Sequence, residues 1–375
     1  MGNNNQTEQG QAVSPSKTSS NVQYGTVLGG GAFGTAMAQV LARNGVKVTI
    51  WVREKEVVES INKEHRNHLF LKDIALHENI TATNNFEESM KGSQIIMIVI
   101  PTPFLREVVC TRHSSIPVGV PLVCCTKGIE NETLLTPFEI LTEELPGKYH
   151  EYLAAVSGPS FAREVAVGMP TSVLCASNNP VVGETIQHTM SDVDFRVFTG
   201  NDVIGAEICG AVKNVIAIAC GASSGLGFGH DTMALLITRG LGEITKLAIM
   251  KGAHPSTMSG LAGIGDLVLT CTSTMSRNYS VGQRIAKGEK LNEIISKMKM
   301  VAEGVKTSKS VHMMCQQLGM HLPLCEEVYR VLHEDKDLSE ALIDLGQLPL
   351  EPEFNPYEHY NEIKEMKLDM VQSRL

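Results

Sequence analysis

The sequence has little of what marks several other classes of protein. Charged residues are 19% and aromatic residues 5% of the 375 residues, and 41 acidic residues outnumber 32 basic ones to give a net charge of −9. Nucleic-acid-binding proteins typically carry a basic excess, so nucleic acid is not an expected partner. What remains is the composition of an ordinary globular protein, 43% hydrophobic and long enough for about two domains.

The nine cysteines lack the spacing of a metal site. No two of them form a Cys-x-x-Cys pair, and most lie within apolar runs, as Cys124 and Cys125 do. Thiols in such positions are typical of small buried side chains in a reducing compartment. We therefore expect neither a disulfide framework nor a bound metal.

A clear membrane segment is also lacking. Residues 1–21 are mainly polar, without the apolar stretch of a signal peptide, so we expect a disordered leader there. Gln6 holds the position where N-myristoylation requires Ser or Thr. Residues 203–219 are nearly all apolar, but Glu207, Lys213 and Asn214 interrupt them, which favours a helix of the protein core and no membrane partner.

Three spaced glycines, Gly29, Gly31 and Gly34, lie in the context that a dinucleotide-binding turn requires. A predicted strand over residues 24–28 leads into them, an amphipathic helix follows, and a second strand is predicted over residues 46–52. In such a βαβ unit the glycines allow a tight turn, close approach of a pyrophosphate and close packing of helix on strand. Free N–H groups at the helix start face the phosphates. The pattern therefore predicts a dinucleotide site.

Further apolar runs continue the alternation. Strands are predicted at residues 95–100, 122–125, 153–156, 172–175 and 195–198, and helices at 203–219, 232–250, 277–287, 305–318 and 324–333. The expected fold class is α/β, with an N-terminal Rossmann-type, mostly parallel sheet domain followed by an all-helical C-terminal domain. The predicted domains are a leader at 1–21, the dinucleotide-binding domain at 22–199, the helical substrate domain at 200–348 and an extension at 349–375.

Two residues at the end of the second strand bear on the choice of cofactor. Glu54 lies 20 residues beyond Gly34, where an acidic residue would bind the adenosine ribose and favour NAD. Arg53 beside it could accept the 2′-phosphate of NADP. NAD is therefore favoured, with NADP as the alternative.

Polar residues that interrupt the second half are candidates for chemistry. Burial lowers a lysine pKa towards neutrality, which suits Lys213 to proton transfer, and a carboxylate such as Asp266, set between glycines and an apolar run, needs a partner such as Lys213. Ser276 has the character of an N-cap, so Arg277 and Asn278 fall in the first turn of a helix, where a phosphate would bind. On these residues alone, two alternatives remain: Lys213 is a structural lysine with no catalytic role, and Arg277 is a surface arginine with no ligand.

Together the motifs resemble those of the NAD-dependent glycerol-3-phosphate dehydrogenases, in the order of that family, from about residue 24 to about residue 332. The resemblance rests on the segments 29–34, 125–130, 157–162, 211–215, 260–278 and 301–304. It implies interconversion of sn-glycerol 3-phosphate and dihydroxyacetone phosphate with NAD. The spacing between Thr270 and Arg277 resembles that of bacterial-type members and not that of animal cytosolic ones.

The resemblance also implies roles for individual residues. Lys213 would be the catalytic proton donor and acceptor, Asp266 its carboxylate partner, and Lys127 a catalytic lysine that reaches substrate and cofactor. Substrate contacts are expected at Lys127, Gly158, Ser160, Asn214, Thr270, Arg277 and Asn278. Cofactor contacts, including the glycines, are expected at Gly29, Gly31, Phe33, Gly34, Trp51, Glu54, Pro101, Lys127, Ala162, Arg277, Val301 and Glu303.

Partners and location follow from the same resemblance. We expect a homodimer acting on a small phosphorylated three-carbon substrate. Ser373, Arg374 and Leu375 resemble a peroxisomal Ser-Lys-Leu address, and similar enzymes of some parasitic protists are glycosomal, so a glycosome or peroxisome, reached through its import receptor, is predicted ahead of the cytoplasm. Two alternatives remain: a different two-domain dehydrogenase, related to 6-phosphogluconate or hydroxyacid dehydrogenases, and a non-catalytic dinucleotide-binding module.

Overall fold

The computed structural model describes residues 22–298 and 302–350. The predicted leader, most of the predicted extension with Ser373, Arg374 and Leu375, and the predicted cofactor contact Val301 lie outside these residues. The described residues up to Asp335 belong to one compact unit, and Lys336 begins another. The predicted domain boundary at residue 199 remains a proposal.

Eight of ten described strands form one sheet. The strands are β1 (Tyr24–Leu28), β2 (Lys47–Trp51), β3 (Arg66–Asn67), β4 (Leu71–Ala75), β5 (Ile80–Thr83), β6 (Ile96–Ile98), β7 (Leu122–Cys124), β8 (Leu153–Ser157), β9 (Thr171–Ala176) and β10 (Phe195–Gly200). The sheet has the order β10-β9-β8-β7-β6-β1-β2-β5, and β3 pairs only with β4. Neighbouring strands of the sheet are parallel except β8 and β9. The predicted mostly parallel sheet is confirmed.

Helices pack on both faces of the sheet and then build the rest of the described chain. They are α1 (Ala32–Arg43), α2 (Lys55–Glu64), α3 (Phe86–Ser89), α4 (Leu105–Val108), α5 (Pro137–Glu144), α6 (Ala162–Ala166), α7 (Pro180–Met190), α8 (Val203–Gly225), α9 (His230–Met250), α10 (Asp266–Thr272), α11 (Arg277–Ala286), α12 (Leu291–Lys297), α13 (Glu303–Leu318), α14 (Pro323–His333) and α15 (Leu338–Gly346). Met37 and Leu41 of α1 belong to the core on one face of the sheet, and Ile140 of α5 belongs to the core on the other. The helical second half is confirmed.

Two features of the sheet were not predicted. β5 has only four residues, with alternating burial, which is too short a pattern to separate from a loop. β9 runs antiparallel to β8 because their connection, residues 158–170, holds only the five-residue helix α6. A parallel return is usually made through a full helix packed on the sheet, which this connection does not contain.

α8 is the central helix of the second half. It is long and apolar enough to cross a membrane by length and composition, but nearly all of its apolar stretch is buried inside the protein, which is typical of a core helix. Glycines let α11 cross it at close range. A Cβ on Gly221 would lie 1.9 Å from the carbonyl oxygen of Tyr279, and one on Gly282 would lie 2.0 Å from that of Ile218. This contact brings the first turn of α11 beside α8.

Candidate active site

Five strand ends carry predicted residues along one edge of the sheet. Gly29 follows β1, Glu54 lies beyond β2, Pro101 beyond β6, Lys127 beyond β7, and Gly158 follows β8. These strands are mutually parallel, so their carboxyl ends share an edge. Ligands of open α/β sheets bind outside this edge. The cofactor and substrate residues predicted in the first half therefore lie on one side of the sheet.

The glycine turn leaves room for a pyrophosphate. Gly29 has a φ of +113°, and a Cβ there would lie 2.4 Å from the carbonyl oxygen of Val99. Gly34 is equally constrained, because its Cβ would lie 1.9 Å from the Gly29 oxygen. Gly31 differs, since it is the N-cap of α1 and no described atom beyond its neighbours in the chain lies within 4 Å of its Cβ position. The first N–H groups of α1, which lack partners within a helix, therefore border an open space suited to an anion.

Asn67, which was not predicted, secures this turn. Its fully buried amide donates to the carbonyl oxygen of Gly30 and to Thr35 Oγ1, both at 2.8 Å. Thr35 in turn donates to the Gly31 oxygen at 2.9 Å. The β3–β4 hairpin brings Asn67 to this place, and no local sequence pattern signals such a long-range contact.

The end of β2 holds both candidate determinants of cofactor choice. The charged groups of Arg53 and Glu54 lie 3.8 Å apart, with the arginine side chain 64% exposed and the glutamate 30%. The Arg53 guanidinium also lies 5.5 Å from the centre of the Phe104 ring. Trp51 is buried beside them, edge-on to Phe86 at 5.7 Å between ring centres. The carboxylate predicted to bind a ribose and the arginine predicted to bind a 2′-phosphate therefore lie side by side.

A buried carboxylate joins the two predicted catalytic lysines. Asp266 is 1% exposed. Lys213 donates to its Oδ1, and Lys127 donates to its Oδ2 at 2.6 Å. Lys213 also donates to Thr270 Oγ1 at 2.8 Å, and that hydroxyl donates to the main-chain oxygen of Asp266 at 2.6 Å. The structure thus brings Lys127, Lys213, Asp266 and Thr270 into one network.

The electrostatics of this network separate the roles of its members. Burial lowers the pKa of Lys213 from its ordinary value, Asp266 opposes that shift, and Lys127 adds to it. Burial alone would raise the pKa of Asp266, but Lys127 and Lys213 outweigh it and hold that pKa below its usual range. Asp266 therefore stays ionised, and Lys213 is a group that can release and regain a proton.

Three elements position the network. Lys213 projects from α8, while Asp266 begins α10 and Thr270 follows one turn later on the same helix face. The loop after β7 is held by Thr102, whose hydroxyl donates to the carbonyl oxygen of Lys127 at 2.9 Å. Thr102 is buried and was not predicted, since its contact also spans distant parts of the sequence.

A second network lies one residue further along α8. Asn278 donates from Nδ2 to Asn214 Oδ1 at 2.8 Å and accepts at Oδ1 from the Gly304 N–H at 3.0 Å. Ser276 accepts from the Tyr279 N–H at 3.3 Å, which confirms it as the N-cap of α11. The starts of α11 and α13 therefore meet α8 at Asn214.

Arg277 and Glu303 border the same region. Arg277 is exposed, yet desolvation by the protein around it lowers the pKa of its guanidinium, and Glu303 opposes that shift. Burial raises the pKa of Glu303 to about 7, and Arg277 and Lys306 oppose this. Glu303 Oε2 lies 3.6 Å from the position of a Cβ on Gly128. The start of α13 therefore reaches the loop that carries Lys127.

The other predicted residues are less closely tied to these networks. Ser160 Oγ donates back to the carbonyl oxygen of Gly158 at 2.9 Å. Phe33 and Ala162 pack partly against the core, and Pro101 is exposed. Their roles as contacts stay predictions. Within residues 22–298 and 302–350, no group of three or more His, Cys, Asp or Glu side chains could hold a metal ion.

Two family models match most of the chain. Residues 25–182 match the N-terminal model, and residues 202–343 the C-terminal model, of NAD-dependent glycerol-3-phosphate dehydrogenase. The chain is 49% identical to the Myxococcus xanthus glycerol-3-phosphate dehydrogenase, whose name gives NAD(P)+ as the cofactor. The aligned 321 residues are 86% of this chain and 96% of that protein.

A second relative and a solved structure agree with this match. The Geobacter sulfurreducens glycerol-3-phosphate dehydrogenase, also named for NAD(P)+, is 45% identical over 327 residues, 87% of this chain and 98% of that one. The crystal structure of glycerol-3-phosphate dehydrogenase from Coxiella burnetii has a TM-score of 0.82 at 36% identity, covering 87% of this chain and 99% of that chain. Similarity therefore extends over both halves of the fold.

Proposed function

The chain belongs to the NAD-dependent glycerol-3-phosphate dehydrogenase family, and we propose that it interconverts sn-glycerol 3-phosphate and dihydroxyacetone phosphate with a nicotinamide dinucleotide. The observation that carries the proposal is the Asp266 carboxylate shared by Lys127 and Lys213. When bound, the nicotinamide supplies hydride to the ketone carbon or takes it from the alcohol carbon. The protein must then supply or remove one proton at the oxygen.

Lys213 is the proposed proton donor and acceptor. In the direction of reduction its ammonium gives a proton to the developing alkoxide, and in the direction of oxidation the neutral amine takes it back. The lowered pKa of Lys213 supports this role, because both protonation states are then accessible. Lys127, held by the same carboxylate, can stabilise negative charge on the reacting oxygen.

Substrate and cofactor are held by groups on either side of the lysines. Arg277 and the first turn of α11 supply the charge and N–H groups that suit the substrate phosphate. Asn278 supports that turn through its bonds to Asn214 and Gly304. On the other side, the open space at Gly31 would hold the pyrophosphate, with Glu54 towards the ribose. Binding the phosphate away from the reacting carbon orients the substrate for reaction.

The reaction is tested by following NADH oxidation at 340 nm with purified protein. Dihydroxyacetone phosphate is compared with unphosphorylated dihydroxyacetone, and NADH with NADPH. We expect rapid turnover that requires the phosphate. Folded protein that binds NADH without turning over dihydroxyacetone phosphate would point instead to another substrate or to a non-catalytic module.

We propose that the protein is a homodimer. Phe228, just before α9, is 48% exposed and Leu235 within that helix is 56% exposed, and Leu226 is also exposed. These three exposed apolar side chains fall within residues 226–235, and exposed apolar patches are typical of protein contacts. Sedimentation of the wild type and of Leu235→Glu tests this. We expect a dimer that the charge weakens, and a monomeric wild type would overturn the proposal.

Import into a glycosome or peroxisome is proposed on the C-terminal tripeptide alone, with the cytoplasm as the alternative. The relatives named above are bacterial proteins, which lend the organelle no support. A fluorescent protein ending in the last ten residues of this chain tests the address in cells that have peroxisomes. Punctate fluorescence that is lost without Leu375 supports import, and diffuse fluorescence supports the cytoplasm.

A further inference from the structure

A second buried carboxyl group, that of Glu207, lies on the same helix as Lys213, and burial raises its pKa to about 8. Glu207 is 7% exposed, and both of its oxygens accept from the Phe138 N–H, at 3.1 and 3.0 Å. Cys124 Sγ lies 3.8 Å from Oε1 of the same carboxylate. A carboxylate in the protein interior is costly unless its hydrogen bonds are made. These contacts therefore restrain Glu207, and with it the first half of α8.

The partners of Glu207 belong to the segment that carries Lys127. Phe138 lies in the first turn of α5, where N–H groups and the positive helix end favour a carboxylate. Cys124 ends β7, and Lys127 follows three residues later. Glu207 thus fastens α8 to both ends of the connection between β7 and α5.

Between Glu207 and Lys213, α8 makes a further close contact with the strand ends, at Gly210. A Cβ on Gly210 would lie 2.9 Å from Ser157 Oγ and 3.9 Å from Lys127 Cδ. The helix therefore lies close to Ser157 at the end of β8 and to the Lys127 side chain, and a larger residue at Gly210 would require the Ser157 hydroxyl to move. Six residues of helix, about 9 Å, separate Glu207 from Lys213. Because a helix is stiff over that length, displacement at Glu207 is transmitted to Lys213.

We propose that Glu207 is a positioning residue for the reaction: by fastening α8 to the β7–α5 segment, it sets the separation of Lys213 from Lys127 across Asp266. The inference rests on the proposed function of the two lysines. It assigns Glu207 no contact with substrate or cofactor. Its effect is on geometry, and a misplacement of about 1 Å can cost as much as about 10²-fold in rate.

The chain offers a matched control. Glu243 of α9 is 8% exposed and accepts from the N–H groups of Leu324 at 2.6 Å and Cys325 at 2.9 Å, at the start of α14. Like Glu207, it is a buried carboxylate that bonds the first turn of a neighbouring helix. Unlike Glu207, its partners do not belong to the segment that carries Lys127.

The experiment compares Glu207→Gln with Glu243→Gln, two isosteric changes that each replace one acceptor oxygen by an amide donor. Thermal stability, NADH affinity, and kcat and KM for dihydroxyacetone phosphate are measured for both. We expect similar losses of Tm and an unchanged Kd for NADH. Only Glu207→Gln should lower kcat, by about 10-fold, while Glu243→Gln keeps kcat within about twofold of the wild type.

The results distinguish failure of the positioning role of Glu207 from failure of the proposed function. A wild type that does not reduce dihydroxyacetone phosphate removes the proposed function itself. An active wild type with full kcat in Glu207→Gln, or with equal kcat losses in both variants, overturns the positioning role. If Glu207→Gln is insoluble, Glu207→Asp, whose carboxylate is one methylene shorter, is measured in its place with the same expected loss of kcat.

Discussion

Lys127 and Lys213 bond to different oxygens of one carboxylate, that of Asp266. Burial lowers the pKa of Lys213, and the nearby charge of Lys127 lowers it further, since a like charge disfavours the charged form. The buried Asp266 carboxylate compensates for both charges. The position of this one side chain therefore controls both the placement of the lysines and the ease with which Lys213 releases a proton.

Loss of the proton-transfer group should abolish most of the activity. We expect Lys213→Ala to lower kcat by roughly 10²–10⁴-fold, the usual range for general acid–base catalysis. NADH affinity should change little, since the substitution leaves the glycine turn intact. Steady-state kinetics and a binding titration measure the two effects. Lys246→Ala, at an exposed lysine of α9, is the control, and a Lys213→Ala variant within twofold of wild type would remove the residue from the mechanism.

The pH dependence should have opposite signs in the two directions. Reduction needs the ammonium form of Lys213, so its kcat should fall as pH rises through a pKa below the usual lysine value of about 10.4. Oxidation needs the neutral amine, so its kcat should rise through the same pKa. Asp266 raises that pKa, and Asp266→Asn should therefore move both transitions to lower pH. Profiles of kcat in both directions measure this, and a shift to higher pH would contradict it.

Arg277 should matter for the phosphate and much less for the dinucleotide. Hydrogen bonds to charged groups are worth about 1.5–3 kcal/mol, so Arg277→Ala should lower kcat/KM for dihydroxyacetone phosphate by roughly 10- to 150-fold. Arg284→Ala is the matched control, because Arg284 lies on the same helix and pairs with Glu289. Equal losses of substrate and NADH affinity in Arg277→Ala would mean that the arginine serves the cofactor.

Much of the fold could be predicted because its signals are local. The apolar run at residues 95–100 predicts a strand, and the glycines after β1 predict a tight turn. The polar residues that interrupt α8 predict a core helix. The mutual approach of Lys213 and Asp266 was also predictable, because a buried carboxylate needs a cation. In each case the residues of a single segment are enough to indicate the structure or the partner that the segment needs.

The contacts that hold the site could not be predicted, because their two partners come from distant segments. Asn67 bonds the glycine turn from a hairpin, and Thr102 bonds the carbonyl of Lys127 across neighbouring strand ends. From the sequence, a buried amide or hydroxyl group indicates only that a hydrogen-bond partner is needed, and many backbone groups could be that partner. The role of Glu207 was missed for the same reason, since its acceptor atoms are satisfied by a backbone N–H of α5.

We expect two adjacent residues to set the cofactor preference, with Arg53 favouring NADPH and Glu54 favouring NADH. Arg53→Ala should raise the KM for NADPH by about tenfold, as expected for loss of one charge-assisted hydrogen bond, and change that for NADH little. Glu54→Ala should do the reverse, because the ribose hydroxyl loses its acceptor while the repulsion of a 2′-phosphate is relieved. The ratio of kcat/KM for the two cofactors measures both effects. If neither substitution changes the ratio, the end of β2 does not select the cofactor.

Two glycines of the turn should fail in different ways when replaced by alanine. A Cβ on Gly29 would lie 2.4 Å from the Val99 oxygen at a φ of +113°, so Gly29→Ala should destabilise the fold and lower Tm. A Cβ on Gly31 meets no described atom beyond its neighbours in the chain within 4 Å, so Gly31→Ala should keep its Tm. The added methyl group would instead occupy space at the start of α1 that a pyrophosphate needs, and NADH affinity should fall by about tenfold or more. Differential scanning fluorimetry and NADH titration distinguish the two. A Gly31→Ala variant that binds NADH normally would move the pyrophosphate away from this helix start.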